Sequence, residues 1–155
     1  MARKSYDSLT DLAKLGKQWH KLSGLKTREE WSAAVVRAAT AAEVAANYAI
    51  RKEFKAQSQL DEKFIDKLLH SANGLAGKLD RLLIPITETD PSKKAAIKVL
   101  KRLSEKINEK RNSIVHQGEF CNESEALAVI EVARGFITTL IQLYKQDFEL
   151  KERVD

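Results

Sequence analysis

The feature that most constrains this chain is the spacing of its apolar residues, which recur every three or four positions through nearly its whole length and nowhere alternate. Leu9, Leu12, Leu15, Trp19 and Leu22 share one side of a helix over about 5–22. After a break at Gly24, Thr27 and Glu30 read as a capping box. They open a second helix that buries Trp31, Val35, Ala38, Ala42, Ala45, Ala46, Ala49 and Ile50 and reaches about Gln57. Asp61 is the expected cap of a third helix with Phe64, Ile65, Leu68 and Leu69 on its apolar side. Gly74 and Gly77 weaken that helix. The pattern resumes in Leu79, Leu82 and Leu83 and stops at Pro85, which is one bent helix or two short ones.

Asp90-Pro91 predicts a fourth helix start, because proline suits the first helical position. Ala96, Ile97, Leu100, Leu103, Ile107, Ile114 and Val115 form its stripe, and Gly118 ends it. Asn122 and Glu125 open the last helix, with Ala126, Val129, Ile130, Ala133, Phe136, Ile137, Leu140, Ile141 and Tyr144 buried. The charged stretch from Lys145 onward is expected to fray. The expectation is an all-α fold: an antiparallel four-helix up-and-down bundle with an extra N-terminal helix, in a single domain over 1–155 whose core covers about 27–150.

With 155 residues and 43% hydrophobic content, the chain is long enough to bury a real core. No apolar run approaches the roughly 20 residues of a membrane span. The first residues lack the apolar centre of an export signal, and one cysteine, Cys121, has no internal partner. A cytoplasmic location without membrane association is the expectation. The net charge of +5 suggests a polyanionic partner. It is concentrated on the fourth helix, where Lys93, Lys94, Lys98, Lys101, Arg102, Lys106, Lys110 and Arg111 face only Glu105 and Glu109.

Few residue types here can do chemistry. His20, His70 and His116 lie far apart, no metal-binding motif is present, and no phosphate loop follows a strand, so neither a metal nor another cofactor is expected. Attention falls on "RNSIVH", Arg111 to His116, at the end of the basic helix. On a regular helix Arg111 and His116 point about 140° apart, whereas Asn112 and His116 share a face. Unwinding near Gly118, a curled arginine, or a second copy of the chain would bring the pair together. Histidine can then move a proton, while the guanidinium holds a phosphate through two hydrogen bonds. Such a set suits metal-free RNA cleavage, in which a base deprotonates the 2′-OH, arginine stabilises the phosphoryl oxygens, and an acid protonates the leaving 5′ oxygen. One histidine serves poorly as both base and acid; a homodimer supplies two. The competing reading is a helix C-terminus whose Arg and His simply complement the dipole.

"RNSIVHQG", the closing helix "CNESEALAVIEVARGFITTLIQLY" and the Ala-rich "AAEVAANYAI" resemble the R-x(4–6)-H signature and its helical context in the HEPN superfamily, over about 27–150. That resemblance implies a single HEPN-like helical domain and a homodimer with the motifs facing each other. It also implies a metal-independent endoribonuclease of the kind found in toxin–antitoxin pairs and phage defence, with an antitoxin or regulatory protein as a further partner. It casts Arg111 and His116 as the catalytic pair and Asn112 as their polar companion. Glu43, or less strongly Asn47, would be the early-helix residue near the site, with Arg111 available to pair with the Glu43 charge. RNA would lie along Lys98, Lys101, Lys106 and Lys110 through phosphate contacts, with no aromatic platform for its bases. The family also implies an alternative, a non-catalytic dimeric regulatory or interaction module resembling mannitol operon repressor proteins.

Overall fold

The computed structural model describes residues 4–57 and 61–152, and every regular element among them is helical. A 3-10 turn at Tyr6–Ser8 leads into α1 (Asp11–Thr27) and α2 (Trp31–Gln57). Then come α3 (Glu62–Ser71), the short α4 (Gly74–Lys78), a π turn (Leu79–Leu83), and α5 (Ile84–Thr87). Two long helices complete the chain, α6 (Pro91–Gln117) and α7 (Glu123–Gln142). None of the described helices is long and apolar enough to cross a membrane.

The caps explain most of the boundaries. Asp61 accepts from the Phe64 amide at 2.8 Å, Asp90 from Lys93 at 3.1 Å, and Asn122 from Glu125 at 2.9 Å. Each satisfies one amide that the first turn leaves without a partner. Pro85 cannot donate, and its ring collides with a regular helix one turn back; the wide π turn just before it absorbs that conflict.

The first boundary departs from the expectation. The helix begins at Asp11, capped by Thr10, and runs through Gly24 to Thr27. Glycine costs roughly 1 kcal/mol inside a helix, and Leu22 and Leu25 packing on the core outweigh it. Thr27 is therefore not an N-cap; its hydroxyl donates back to Ser23 O at 3.0 Å. Glu29 turns the chain in the left-handed region (φ 59°), with Glu30 N bonded to Leu25 O and Glu29 N to Lys26 O. This is the six-to-one and five-to-two bond pair that closes many helices.

Alanine-rich α2 is the spine of the core. Ala34, Ala38, Ala42, Ala45, Ala46 and Ala49 are fully buried, and these small side chains let neighbouring backbones come close. Leu15, Trp19 and Leu22 of α1, Ile97, Leu100 and Ile107 of α6, and Ile130, Phe136, Ile137 and Leu140 of α7 join the same cluster. Polar links tie the helices at defined levels. Near the end of α2, the 2%-exposed Glu53 accepts from Lys93 Nζ of α6 and from the Tyr144 hydroxyl beyond α7, each at 2.7 Å. Near its start, Ser32 Oγ accepts from the Cys121 amide at 3.0 Å. Along α1, Asp11 pairs with Arg51 at 3.0 Å, and Gln18 accepts from Arg37 at 2.8 Å.

Two further expectations are corrected. Phe64 and Val115, placed on apolar stripes by spacing, are both exposed, because each sits at an edge that no neighbouring helix covers. The segment after α7 does not fray up to residue 152: Phe148 and Leu150 pack on the core. Glu152 accepts from Ser23 Oγ at 3.1 Å and pairs with Arg134.

Candidate functional site at the α6–α7 corner

Twenty-seven residues of uninterrupted α-helix carry Arg111, Asn112 and His116 to the end of α6. The chain then turns at Gly118 with φ 66°, a left-handed conformation that glycine adopts without strain. The amides of Gly118 and Glu119 both bond the Ser113 carbonyl, folding the loop back on the last turn. The corner is pinned to α2 through Cys121 and Ser32. It is pinned to α7 through Lys110, whose ammonium pairs with Glu125 and lies 3.5 Å from Glu119. The Glu125 bond holds the Lys110 ammonium above its ordinary range, and a bond from Ser113 together with Lys110 holds the Glu119 carboxyl below its own. Burial pushes the Cys121 thiol up, away from thiolate character.

His116 is exposed and, among the described residues, forms no hydrogen bond or ion pair. Arg111 is half-buried, and its Nη1 donates to Asn112 Oδ1 at 3.2 Å. The helix does not unwind before Gln117, so the first of the three ways to join the pair does not occur. Within one chain Arg111 and His116 stay about 140° apart around the axis, and Asn112 companions the arginine rather than the imidazole.

Glu43 is held elsewhere. Lys78, not Arg111, is the cation nearest it, with Nζ 3.8 Å from Oε1. Lys78 is only 4% exposed and donates to Leu69 O at 2.8 Å. Its burial lowers the ammonium's pKa. Glu43 and Asn47 line a polar cleft of about 1150 Å³ between the start of α1, α2 and α3, which also holds Asp11, Arg51 and Asp66. Arg51 bridges Asp11 at 3.0 Å and Asp66 at 2.6 Å there, and burial raises the Asp11 carboxyl against the pull of that guanidinium. Matching Glu53 with Lys93 sets Glu43 roughly 12 Å along the axis from the level of Arg111.

The basic residues of α6 divide in two. Lys93 is drawn into the Glu53 cluster, Lys94 faces Glu88 at 3.9 Å, Lys101 pairs with Asp80 at 3.2 Å, and Lys110 is held by Glu125. Lys101 and Lys110, expected to meet phosphates, thus already have carboxylate partners. Lys98, Arg102 and Lys106 are exposed and form no ion pair among the described residues. Helical spacing finds this row; what it cannot find is the set of carboxylates that other helices bring to Lys101 and Lys110.

Sequence reasoning also passed over Phe120, which is 91% exposed in the corner loop. It belongs to no helical stripe, so periodicity is silent on it. The corner thus gathers an accessible imidazole, a guanidinium, an amide and an exposed ring. The imidazole can exchange protons and the guanidinium can hold an anion, but on opposite sides of one helix end. Comparison with protein-family models finds none that matches this chain, and comparisons with curated proteins and with solved structures find no match either.

Proposed function

We propose that this protein is a metal-independent endoribonuclease of the HEPN type, acting in the cytoplasm as a homodimer in a toxin–antitoxin or phage-defence setting. The observation that carries the reading is the glycine-capped end of a long basic helix that offers Arg111, Asn112 and His116, with the imidazole free and accessible. The long helices α2, α6 and α7, linked at defined levels, support the four-helix up-and-down bundle that such a domain requires, with α3 to α5 as its remaining helical segment and α1 as the extra N-terminal helix, packed on α2 through Asp11–Arg51 and Gln18–Arg37. In this reading a second copy supplies the partner that one regular helix holds too far round. One His116 accepts the 2′-OH proton, the other protonates the 5′ oxygen, and Arg111 stabilises the phosphoryl charge. An antitoxin or regulatory protein would cover the same corner.

A second reading is a non-catalytic dimeric regulatory module of HEPN-like fold, similar to mannitol operon repressor proteins. It is favoured by the exposed Val115 and Phe120 and by the separation of Arg111 from His116 in one chain. The two part on one assay, incubation of RNA with purified protein in EDTA. The ribonuclease reading expects cleavage with 2′,3′-cyclic phosphate ends, abolished in a folded His116→Ala variant. Intact RNA after incubation with a confirmed wild-type dimer, across varied sequences, would leave the regulatory module standing.

A further inference from the structure

We infer that the solvent face of α6 is a track for single-stranded RNA, with Lys98, Arg102 and Lys106 holding successive phosphates and Phe120 stacking on a base beside His116. This rests on the ribonuclease reading and specifies how its substrate lies. Lys98, Arg102 and Lys106 are four residues apart, which places them about 6 Å apart along the axis, a step comparable to that between phosphates of one strand. All three are exposed and none is ion-paired among the described residues, whereas Lys101 and Lys110 to either side are held by Asp80 and by Glu125. Glu105 and Glu109 lie on the same face and form no ion pair with the row among the described residues, so its three cations remain available to phosphates although the two carboxylates reduce the net charge of the face. It leads toward the corner, with His116 roughly 15 Å beyond Lys106 along the helix.

At that corner a 91%-exposed aromatic ring stands four residues after His116. Its Cα lies within roughly 14 Å of that of His116 on chain length alone, and the Gly118 turn bonded to Ser113 folds it back toward the last helical turn. An exposed phenyl ring at the end of a helix that carries a cationic row matches single strands, because every unpaired base has a face to stack on, while a duplex hides its bases. Phe120 is thus a positioning residue: it holds one base so that the neighbouring phosphodiester reaches His116. Stacking is tolerant of base identity, so the track by itself confers little sequence preference.

The test uses the wild-type chain and a fluorescein-labelled single-stranded RNA with 2′-O-methyl groups, which cannot be cleaved, followed by fluorescence anisotropy over a salt series. Phe120→Ala and Phe120→Leu are expected to weaken binding roughly 5- to 150-fold, while Phe120→Trp retains it. The Lys98→Gln/Arg102→Gln/Lys106→Gln variant should lower the slope of log affinity against log salt by about 2, near 0.7 for each phosphate that is no longer neutralised; Lys101→Gln should lower it less than any of the three alone. Equal affinity for wild type, Phe120→Ala and Phe120→Trp would overturn the stacking role. So would recovery by Phe120→Leu, which would assign the ring to an apolar contact with a second copy. An unchanged salt slope in the triple variant would overturn the track. If wild type binds RNA but these variants do so equally, only the track fails; if wild type binds no RNA, the ribonuclease reading fails with it.

Discussion

Replacing Glu53 with alanine removes the acceptor on which three helices converge. The carboxylate receives Lys93 Nζ at 2.7 Å, the Tyr144 hydroxyl at 2.7 Å and Gln57 Nε2 at 2.6 Å. Lys93 also lies over the Tyr144 ring, 4.9 Å from its centroid. Breaking a buried ion pair from one side costs about 3–5 kcal/mol, but the Lys93 side chain is 30% exposed and can turn to water. That favours the low end of the range. The half-buried Tyr144 hydroxyl loses its partner as well, which adds about 1 kcal/mol. The expected loss is therefore about 3–4 kcal/mol at neutral pH, a fall in Tm of roughly 6–16 °C for a chain of this size. Burial works to raise the Glu53 carboxyl, but the bonds from Lys93, Tyr144 and Gln57 prevail and hold it below its ordinary range. A depressed carboxyl contributes stability above its unfolded pKa and loses it as pH falls through the folded one. The gap between wild type and Glu53→Ala should accordingly be full at pH 7 and shrink as the solution is acidified below about pH 4. Urea unfolding followed by circular dichroism across that range measures it. A loss under about 1 kcal/mol at neutral pH, or a gap that widens in acid, would refute the reasoning.

Glu29 and Gly118, two of the three described residues in the left-handed region, give opposite expectations. Glu29 holds φ 59° with a side chain that disfavours it, so Glu29→Gly should stabilise the protein by about 1 kcal/mol in thermal unfolding. Gly118→Ala should destabilise by about 1 kcal/mol, from backbone strain alone, since no atom lies within 4 Å of where its Cβ would stand; a loss several times larger would mean the corner is packed more tightly than described.

What the chain discloses before folding is governed by range. Caps and stripes are local, so Asp61, Asp90, Gly118 and Asn122 mark their boundaries correctly. Thr27 misleads because its local signal competes with Leu22 and Leu25 packing on a distant helix, and tertiary packing prevails. Glu43 illustrates the same limit at the site. A carboxylate in an apolar stretch announces that it faces a polar environment, but not that Lys78, 35 residues on, stands 3.8 Å away instead of Arg111. The buried Glu53 was legible in neither respect, since its partners come from residues 93 and 144. Arg111, Asn112 and His116 were legible as a cluster because they sit within one turn and a half of a single helix. Their angular separation followed from helical geometry, and the regular helix to Gln117 preserves it.

The central claim, that Arg111 and His116 form one active site completed by a second copy, is tested most directly by mixing wild type with a folded His116→Ala variant. The two are combined in varied ratios under conditions that allow subunits to exchange, and RNA cleavage is followed in EDTA. Because one His116 acts as base and the other as acid, a mixed dimer lacks one of the two, and cleavage, leaving 2′,3′-cyclic phosphate ends, should fall as the square of the wild-type fraction. Cleavage in direct proportion to the wild-type fraction, or cleavage by His116→Ala alone at the wild-type rate, would contradict it.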